Sequence, residues 1–403
     1  MSTAAVMESP PPETPTPAPD EVADALADAR FVRVVVAPDG ASLAASGVVA
    51  RALRERAVPF QIRVRRASAY AVADDALTLR VGSAGLADLT LGDPETAPAT
   101  AFEVARELGT AADARLALAG VAASEADPAA STLADAAGLD RAPGVGIPVA
   151  DLADGLGHST LLHAPFSADG DAADAALAEL ELPADLDDDA RRRIASLAAV
   201  ETATASGATP RAAETVARAL NPLRLGDGAP FATIEGYADV LCAVAREEPG
   251  TGVALALGHD ARTPALDAWR RHARHVHAAL RSADTARHAG VFVVRTSPPT
   301  DADATDSDTD SNADARRRRI AGRLRTVARL ARDFRSPEPT VLVLAESVAA
   351  AATHDEAVDV AGVLARAVEN AGSDADVDGT AREADALGVD ADAFETAARE
   401  VLS

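Results

Sequence analysis

The first hundred residues alternate between short apolar runs and amphipathic segments. Residues 31–36 form a β-branched run with only Arg33 inside it, which is typical of a strand covered on both faces. Residues 43–53 place apolar side chains at helical spacing, and residues 59–65 and 76–81 predict two more strands. Strands that alternate with helices indicate a doubly wound parallel sheet, so we predict an α/β fold.

A turn, Pro38-Asp39-Gly40, separates the first strand from its helix. It follows the carboxyl end of a predicted parallel strand, where ligands bind in open α/β sheets. Gly40 suits the turn geometry. Asp39 is a candidate metal ligand, and a cap for the following helix explains it equally well.

The second half of the chain repeats the strand and helix pattern. Apolar strands are predicted at residues 290–294 and 340–345, and an amphipathic helix at residues 391–402. We therefore predict a second, smaller α/β domain. The expected organisation is a disordered Pro-rich tail at 1–20, a first domain at 21–205, a helical connector at 206–289, and the second domain at 290–403 with an acidic disordered insert at 297–315.

Charge is the strongest signal in the composition. All 38 basic residues are arginine, and against 63 acidic residues they give a formal net charge of −25. This acidic, lysine-free composition resembles that of proteins from salt-loving archaea. In molar salt the Debye length is only ~3 Å, so a local arginine cluster matters more for binding than the net charge does.

Membrane and redox features are few. No apolar run is long enough to span a bilayer, and the N-terminus lacks the basic and apolar regions of a signal peptide. We expect a cytoplasmic protein with no membrane partner. The single cysteine, Cys242, excludes an intrachain disulfide and is predicted to be a buried thiol.

A basic helix is predicted at residues 316–334, directly after the acidic insert. Its arginines could track nucleic-acid phosphates, as in other electrostatic interfaces. The alternative, of comparable weight, is a helix neutralised by the aspartates before it. The candidate nucleic-acid-binding residues are Arg316, Arg317, Arg318, Arg319, Arg323, Arg325 and Arg329.

Three histidines, His272, His275 and His277, lie on another predicted helix, which is expected to run from residue 264 to about 286. His272 and His275 share a helical face, but no carboxylate or cysteine stands at ligand spacing beside them. A solvated helix face therefore explains these residues better than a metal site does.

Five segments, in chain order, carry a resemblance to a known family. They are VVVAPDG at 34–40, GS at 82–83, LGDPETAPA at 91–99, ASE at 123–125 and DGT at 378–380. Their order and spacing resemble the DHH phosphoesterases, and among them the RecJ-like archaeal proteins that include the GINS-associated nuclease. That family has H-x-D-x-D-G, an acidic strand end, D-H-H, a helix-terminal Asp and G-G-H at these places. Here only Asp39 and Gly40 remain of the first motif.

The resemblance implies two Mn²⁺ or Mg²⁺ ions, held by carboxylates and histidines, that activate water for phosphodiester hydrolysis. The carboxylates left as weak candidate ligands are Asp39, Asp88, Asp93 and Glu125. Hard cations need several oxygen ligands that converge on one point. We therefore expect no catalytic residues and no bound cofactor, with Asp39 and Gly40 as a vestigial motif.

The resemblance extends to the eukaryotic cell-division-cycle subunit of the replicative helicase, a RecJ homologue that serves as a scaffold. The leading hypothesis is a catalytically inactive RecJ-like factor of DNA replication or repair. Its expected partners are single-stranded DNA or RNA and the replisome proteins GINS and MCM. The alternative is an active 5′ exonuclease or phosphoesterase that uses Mn²⁺ or Mg²⁺.

Overall fold

The computed structural model describes residues 17–66, 76–83, 87–226, 228–297 and 310–402. These residues form two α/β domains, each built on its own sheet. The predicted tail at 1–20 falls largely outside the described residues. The strands are β1 Val32–Val36, β2 Phe60–Val64, β3 Leu77–Val81, β4 Leu89–Thr90, β5 Asp284–His288, β6 Val291–Arg295, β7 Thr340–Ala345, β8 Val348–Thr353, β9 Asp376–Gly379 and β10 Glu383–Leu387.

Fifteen α-helices lie within the described residues, and none is long and apolar enough to cross a membrane. They are α1 Pro19–Asp28, α2 Gly40–Glu55, α3 Ala97–Glu107, α4 Ala114–Ala123, α5 Leu133–Ala137, α6 Leu152–His158, α7 Gly170–Ala178, α8 Asp188–Ala203, α9 Pro210–Thr215, α10 Ile234–Glu247, α11 Pro249–Ala256, α12 Arg262–Arg281, α13 Asp310–Leu330, α14 Val360–Asn370 and α15 Ala391–Leu402.

The first sheet is parallel, with the strand order β2-β1-β3-β4, as the alternation of strands and helices predicts. Its central strand β1 buries Val34, Val35 and Val36 completely. Helices α2, α3 and α4 bury their apolar faces in the same core. The strands predicted at 59–65 and 76–81 are confirmed as β2 and β3.

Helices α10 to α12 pack onto the first core, since Ile234, Leu241 and Trp269 belong to the same apolar cluster as β1. The region predicted as a connector thus contributes to the first domain. Residues of a separate small cluster, including Leu156, Ile194 and Val216, join α6, α8 and the 3₁₀ turn after α9.

The second sheet is mixed, with the order β5-β6-β7-β8-β10-β9. Helix α13 covers one face, and α14 and α15 cover the other. The predicted strands at 290–294 and 340–345 are confirmed as β6 and β7, and the helix at 391–402 as α15. The alanine-rich and acidic sequences of β8, β9 and β10 do not predict strands.

Two boundaries differ from the sequence prediction. The helix expected to reach residue 286 ends at Arg281, because the next residues form β5, which pairs antiparallel with β6 around the turn at Gly290. The basic helix begins at Asp310, inside the predicted insert, and its last turn widens into a π-helix at Ala331–Arg335. The insert's other residues, 298–309, lie outside the described part of the chain.

The expectation of a solvated histidine face on α12 is wrong for two of its three members. His272 and His277 are 1% and 0% exposed. His272 contacts Glu247 at 2.9 Å and Thr326 at 2.9 Å, so it joins α12 to α10 and α13. His277 packs against His163 instead, with their Nδ1 atoms 3.0 Å apart.

The His163–His277 pair is satisfied when both rings are neutral. Nε2 of His277 donates to the Ser159 carbonyl at 3.1 Å, which leaves its Nδ1 to accept from His163. Burial, reinforced by the charges of Arg335 and Arg281, lowers the pKa of His163 to about 4. Burial and the facing His163 also hold the pKa of His277 well below its ordinary value.

This pair predicts a loss of stability in acid. Between about pH 6.5 and 4 the unfolded chain binds protons that the folded chain excludes, so the free energy of unfolding falls as the pH falls. Replacing His163 by Gln should reduce the loss between pH 7 and 4.5 by about 2 kcal/mol. Urea titrations at pH 7 and 4.5, at constant salt, measure the free energy of unfolding. The exposed His259→Gln variant should behave like wild type, and an equal pH slope in His163→Gln would contradict the assignment.

A second prediction concerns Gly47, where α2 approaches α11. A Cβ at this position would lie 2.7 Å from the Ala256 carbonyl oxygen and 2.8 Å from its Cβ. Gly47→Ala should lower the free energy of unfolding by about 1–3 kcal/mol through overpacking. Gly250→Ala in α11 meets no atom within 4 Å and should change stability by at most about 1 kcal/mol, in the favourable direction. Comparable losses in both variants would refute the close contact.

Candidate functional site

A cleft of about 800 Å³ lies between the carboxyl edge of the first sheet and the second domain. All five motif positions of the family resemblance line it. They reach the cleft from separate elements: Asp39 and Gly40 after β1, Gly82 and Ser83 after β3, Asp93 before α3, Ser124 and Glu125 after α4, and Gly379 and Thr380 at the end of β9. The five segments therefore meet in one cleft.

Asp39 acts as the N-cap of α2 within this cleft. Its carboxylate accepts hydrogen bonds from the backbone N–H of Ser42 at 2.8 Å and from the Ser42 hydroxyl at 2.7 Å. Burial raises the pKa of the Asp39 carboxyl above its ordinary value, although the bonds from Ser42 act in the opposite direction. Gly40 has a packing reason, because a Cβ there would lie 2.7 Å from Sγ of Cys242.

The other two aspartate candidates also accept hydrogen bonds from backbone N–H groups. Asp93 accepts from the N–H groups of Glu95 and Thr96 at 3.1 and 3.0 Å and thereby shapes the turn before α3. Asp88 accepts from the N–H of Thr78 at 2.7 Å and does not line the cleft. Asp93 thus organises a turn at the carboxyl edge of the sheet, whereas Asp88 binds the first half of strand β3.

Glu125 faces the cleft and is bound by arginines of the second domain and of the helical region. Its oxygens lie 2.7 and 2.8 Å from a terminal nitrogen of Arg332, and 3.3 Å from Arg218. Burial acts to raise the pKa of Glu125, but the nearby guanidiniums outweigh it and the pKa lies below its ordinary value. Glu125 is therefore an ionised member of a salt-bridge cluster.

These contacts test whether the residues present fit the metal pair that the family resemblance implies. Two-metal hydrolysis requires carboxylates and histidines that converge on both ions. Asp39 and Asp93 accept hydrogen bonds from backbone N–H groups of a helix and a turn, and Glu125 forms ion pairs with arginines. In the described ranges no group of three or more His, Cys, Asp or Glu could hold a metal ion. The residues do not fit a two-metal centre.

The predicted arginine set divides into exposed and buried members. Arg316, Arg317 and Arg318 are exposed and Arg319 is partly so. The remaining three point into the protein and have partners far away in sequence. Arg323 binds Glu247, Arg325 binds Asp378 and Asp385, and Arg329 donates to the carbonyl and hydroxyl of Thr160 at 3.0 and 2.9 Å.

The buried members therefore form contacts between elements instead of a continuous basic face. Carboxylates of α10, β9 and β10 neutralise Arg323 and Arg325, and Arg329 lies 3.9 Å from both Glu125 and Asp333. One local pair does occur, between Arg317 and Asp314 at 3.2 Å.

A smaller groove of about 130 Å³ lies beside the cleft and shares Arg246 and Arg325 with it. Five arginines and two aspartates line this groove, which makes it positively charged in a strongly acidic protein. Arg65 and Arg318 are exposed at its mouth and have no ion-pair partner among residues the structure describes. The remaining charged lining residues are Arg66, Asp376 and Asp385.

Sequence reasoning missed Arg65, Arg66 and Arg246. The available signal was the pair of arginines directly after β2, at the same edge of a parallel sheet as Asp39. Nothing in the helical pattern of α10 indicates that Arg246 reaches the second domain, where its guanidinium lies 3.3 Å from Glu383.

Arginine–carboxylate pairs join the two domains around the cleft. Asp385 on β10 binds both Arg66 and Arg325, and Arg66 also donates to Asp376 at 2.8 Å. Arg382 and Glu95 form a further pair at 2.8 Å, with both side chains about half exposed. The cleft is thus bridged by ion pairs on several sides.

Solved structures share this architecture. The crystal structure of CDC45 from Entamoeba histolytica aligns with a TM-score of 0.55 at 8% identity, over 95% of this chain and 98% of that one. RecJ from Thermus thermophilus, in complex with Mn²⁺, aligns with a TM-score of 0.52 at 14% identity over 96% of this chain. The match covers 55% of that RecJ, so this chain spans about half its length. These similarities show a RecJ-like DHH fold.

Sequence comparison identifies a much nearer relative. Residues 283–400 match the family model described as "Uncharacterized protein rrnAC1427, C-terminal domain". The protein of that name from Haloarcula marismortui is 46% identical over 370 residues, which cover 90% of this chain and 91% of the relative. The chain therefore belongs to the rrnAC1427 family, whose fold here is that of the RecJ-like DHH proteins.

Proposed function

We propose that this protein is a non-catalytic RecJ-like factor of DNA replication or repair that binds single-stranded nucleic acid. The observation that carries the proposal is the cleft itself. Its motif positions meet as a phosphoesterase site requires, but their carboxylates bind helix N–H groups and arginines. A cleft whose carboxylates are occupied by protein groups in place of metal ions favours binding without hydrolysis.

The positively charged groove supports nucleic acid as the ligand. Arg65 and Arg318 stand at its mouth, and guanidiniums bind phosphate oxygens in a bidentate manner. The net charge of −25 does not oppose this in concentrated salt, because charges more than a few ångströms from the ligand are screened. Local arginines then determine the affinity.

Replication is the setting that the fold similarities support. CDC45 aligns over nearly the whole of both chains, and RecJ over nearly the whole of this one. We infer that replisome proteins such as GINS and MCM are the protein partners. In this proposal the chain is a scaffold that holds a strand near those partners in the cytoplasm.

The competing function is a 5′ exonuclease or phosphoesterase with an altered metal site. Incubation of labelled single-stranded DNA and RNA with the protein and Mn²⁺ or Mg²⁺ in molar KCl separates the two. We expect no digestion, because the candidate ligands do not converge. Digestion that disappears in an Asp39→Ala variant would establish the enzyme instead, whereas digestion that persists in the variant would indicate a contaminant.

Binding provides the positive test. Fluorescence anisotropy with a single-stranded oligonucleotide should show that Arg65→Ala and Arg318→Ala each weaken affinity by roughly tenfold, the loss expected for one charge-assisted phosphate contact. Each should also reduce the slope of affinity against salt by about one phosphate contact. Arg192→Ala, an exposed arginine on α8, should bind like wild type. Equal affinity in all four proteins would contradict the proposal.

A further inference from the structure

Glu125 occupies an unusual backbone position. It follows Ser124, the C-cap residue of α4, with φ of +68°. Glycine or asparagine is preferred where a helix ends in this left-handed conformation, because a Cβ is unfavourable there. A glutamate in that position indicates that its side chain has a role that outweighs the backbone preference.

The side chain completes a cluster of three arginines. Arg218, Arg329 and Arg332 lie 3.3, 3.9 and 2.7 Å from the Glu125 carboxylate. The same three guanidiniums approach a second carboxylate, Asp333, at 2.7, 3.9 and 2.8 Å. Three cations therefore share two anions.

The two carboxylates differ in access to the cleft. The Asp333 side chain is 0% exposed, whereas that of Glu125 is 23% exposed and lines the cleft. His354 also contacts Asp333, at 3.3 Å. An anion that enters the cleft would meet Glu125 first, and it could replace only that carboxylate.

We propose that Glu125 is an internal counter-ion that occupies an oxyanion subsite, and that a phosphate group binds Arg218, Arg329 and Arg332 when the Glu125 side chain moves aside. A phosphate and a carboxylate offer guanidiniums similar pairs of oxygens. Without an anion in this place the three arginines would keep only Asp333, and an uncompensated buried charge is strongly unfavourable. The three arginines thus form a site for an anion, which the Glu125 carboxylate occupies.

Self-occupation has a quantitative consequence for binding. If the carboxylate fills the subsite in most molecules, the apparent affinity for phosphate equals the intrinsic affinity multiplied by the fraction of molecules in which the subsite is free. Removing the carboxylate should therefore strengthen phosphate binding, which is the opposite of what losing an ordinary contact does. The natural phosphate source, a strand end or backbone, rests on the proposed function, but the subsite can be tested with inorganic phosphate alone.

The test is anion rescue in the full chain. Glu125→Gly relaxes the backbone at its positive φ and opens the subsite. At constant KCl, added inorganic phosphate should raise the melting temperature of this variant by about 3 °C or more, with saturation, through preferential binding to the folded state. Wild type should shift by much less. The matched control is Glu95→Gly, since Glu95 lies on the same cleft and its ion-pair partner among the described residues is the half-exposed Arg382.

A second variant keeps the test decisive if Glu125→Gly does not fold. Glu125→Gln retains the shape of the side chain and removes its charge, so it should bind phosphate and a single-stranded oligonucleotide about tenfold more tightly than wild type or Glu95→Gln. Rescue by phosphate without tighter oligonucleotide binding would support the subsite and count against a nucleic-acid ligand. No response to phosphate in either Glu125 variant, or equal responses in the Glu95 controls, would overturn the proposal.

Discussion

Pairing between arginines and carboxylates across the domain boundary is the interaction on which the structure depends. Asp385 lies 2% exposed between Arg66 and Arg325, which come from different domains. Breaking one buried pair leaves a charge without a partner, at a typical loss of about 3–5 kcal/mol. Because the pairs of Asp385 are buried, dissolved salt screens them much less than surface pairs. The domain contact should therefore be less sensitive to salt than an interface held only by exposed charges.

This constraint explains the contacts at the motif positions. The parallel sheet still presents Asp39, Asp93 and Glu125 toward one space, since strand order and helix placement fix where their turns lie. The partners of these carboxylates are backbone N–H groups for Asp39 and Asp93 and guanidiniums for Glu125. The three carboxylates therefore stabilise the start of α2, the turn before α3 and the contact between the domains.

The sequence predicts the first domain well and the second domain in part. Runs such as Val32–Val36 and Thr340–Ala345 are strongly β-branched, so their conformation follows from local preference. Val348–Thr353 contains four alanines and becomes a strand only because β7 and β10 lie on either side. Pairing of that kind depends on tertiary context, which a local pattern does not contain.

The resemblance predicts the order of the five motif positions along the chain. It does not predict that all five line one cleft, nor which partners the charged side chains bind. Arg323 and Arg325 appear in sequence as part of a solvent-facing basic helix, yet their partners Glu247 and Asp385 lie 76 and 60 residues away. His163 and His277 are also far apart, at 114 positions along the sequence, so a local pattern does not predict their contact or their burial.

The exclusive use of arginine has a consequence for the domain contact in base. A guanidinium does not lose its proton at any pH that a folded protein tolerates, whereas a lysine ammonium in the same place would begin to do so in alkaline water. Burial acts to lower the pKa of Arg325 and Arg332, but the neighbouring carboxylates outweigh it and raise the pKa of both guanidiniums further. The cationic side of the described domain contact therefore stays charged in alkaline water, whereas a contact built on lysines would weaken there.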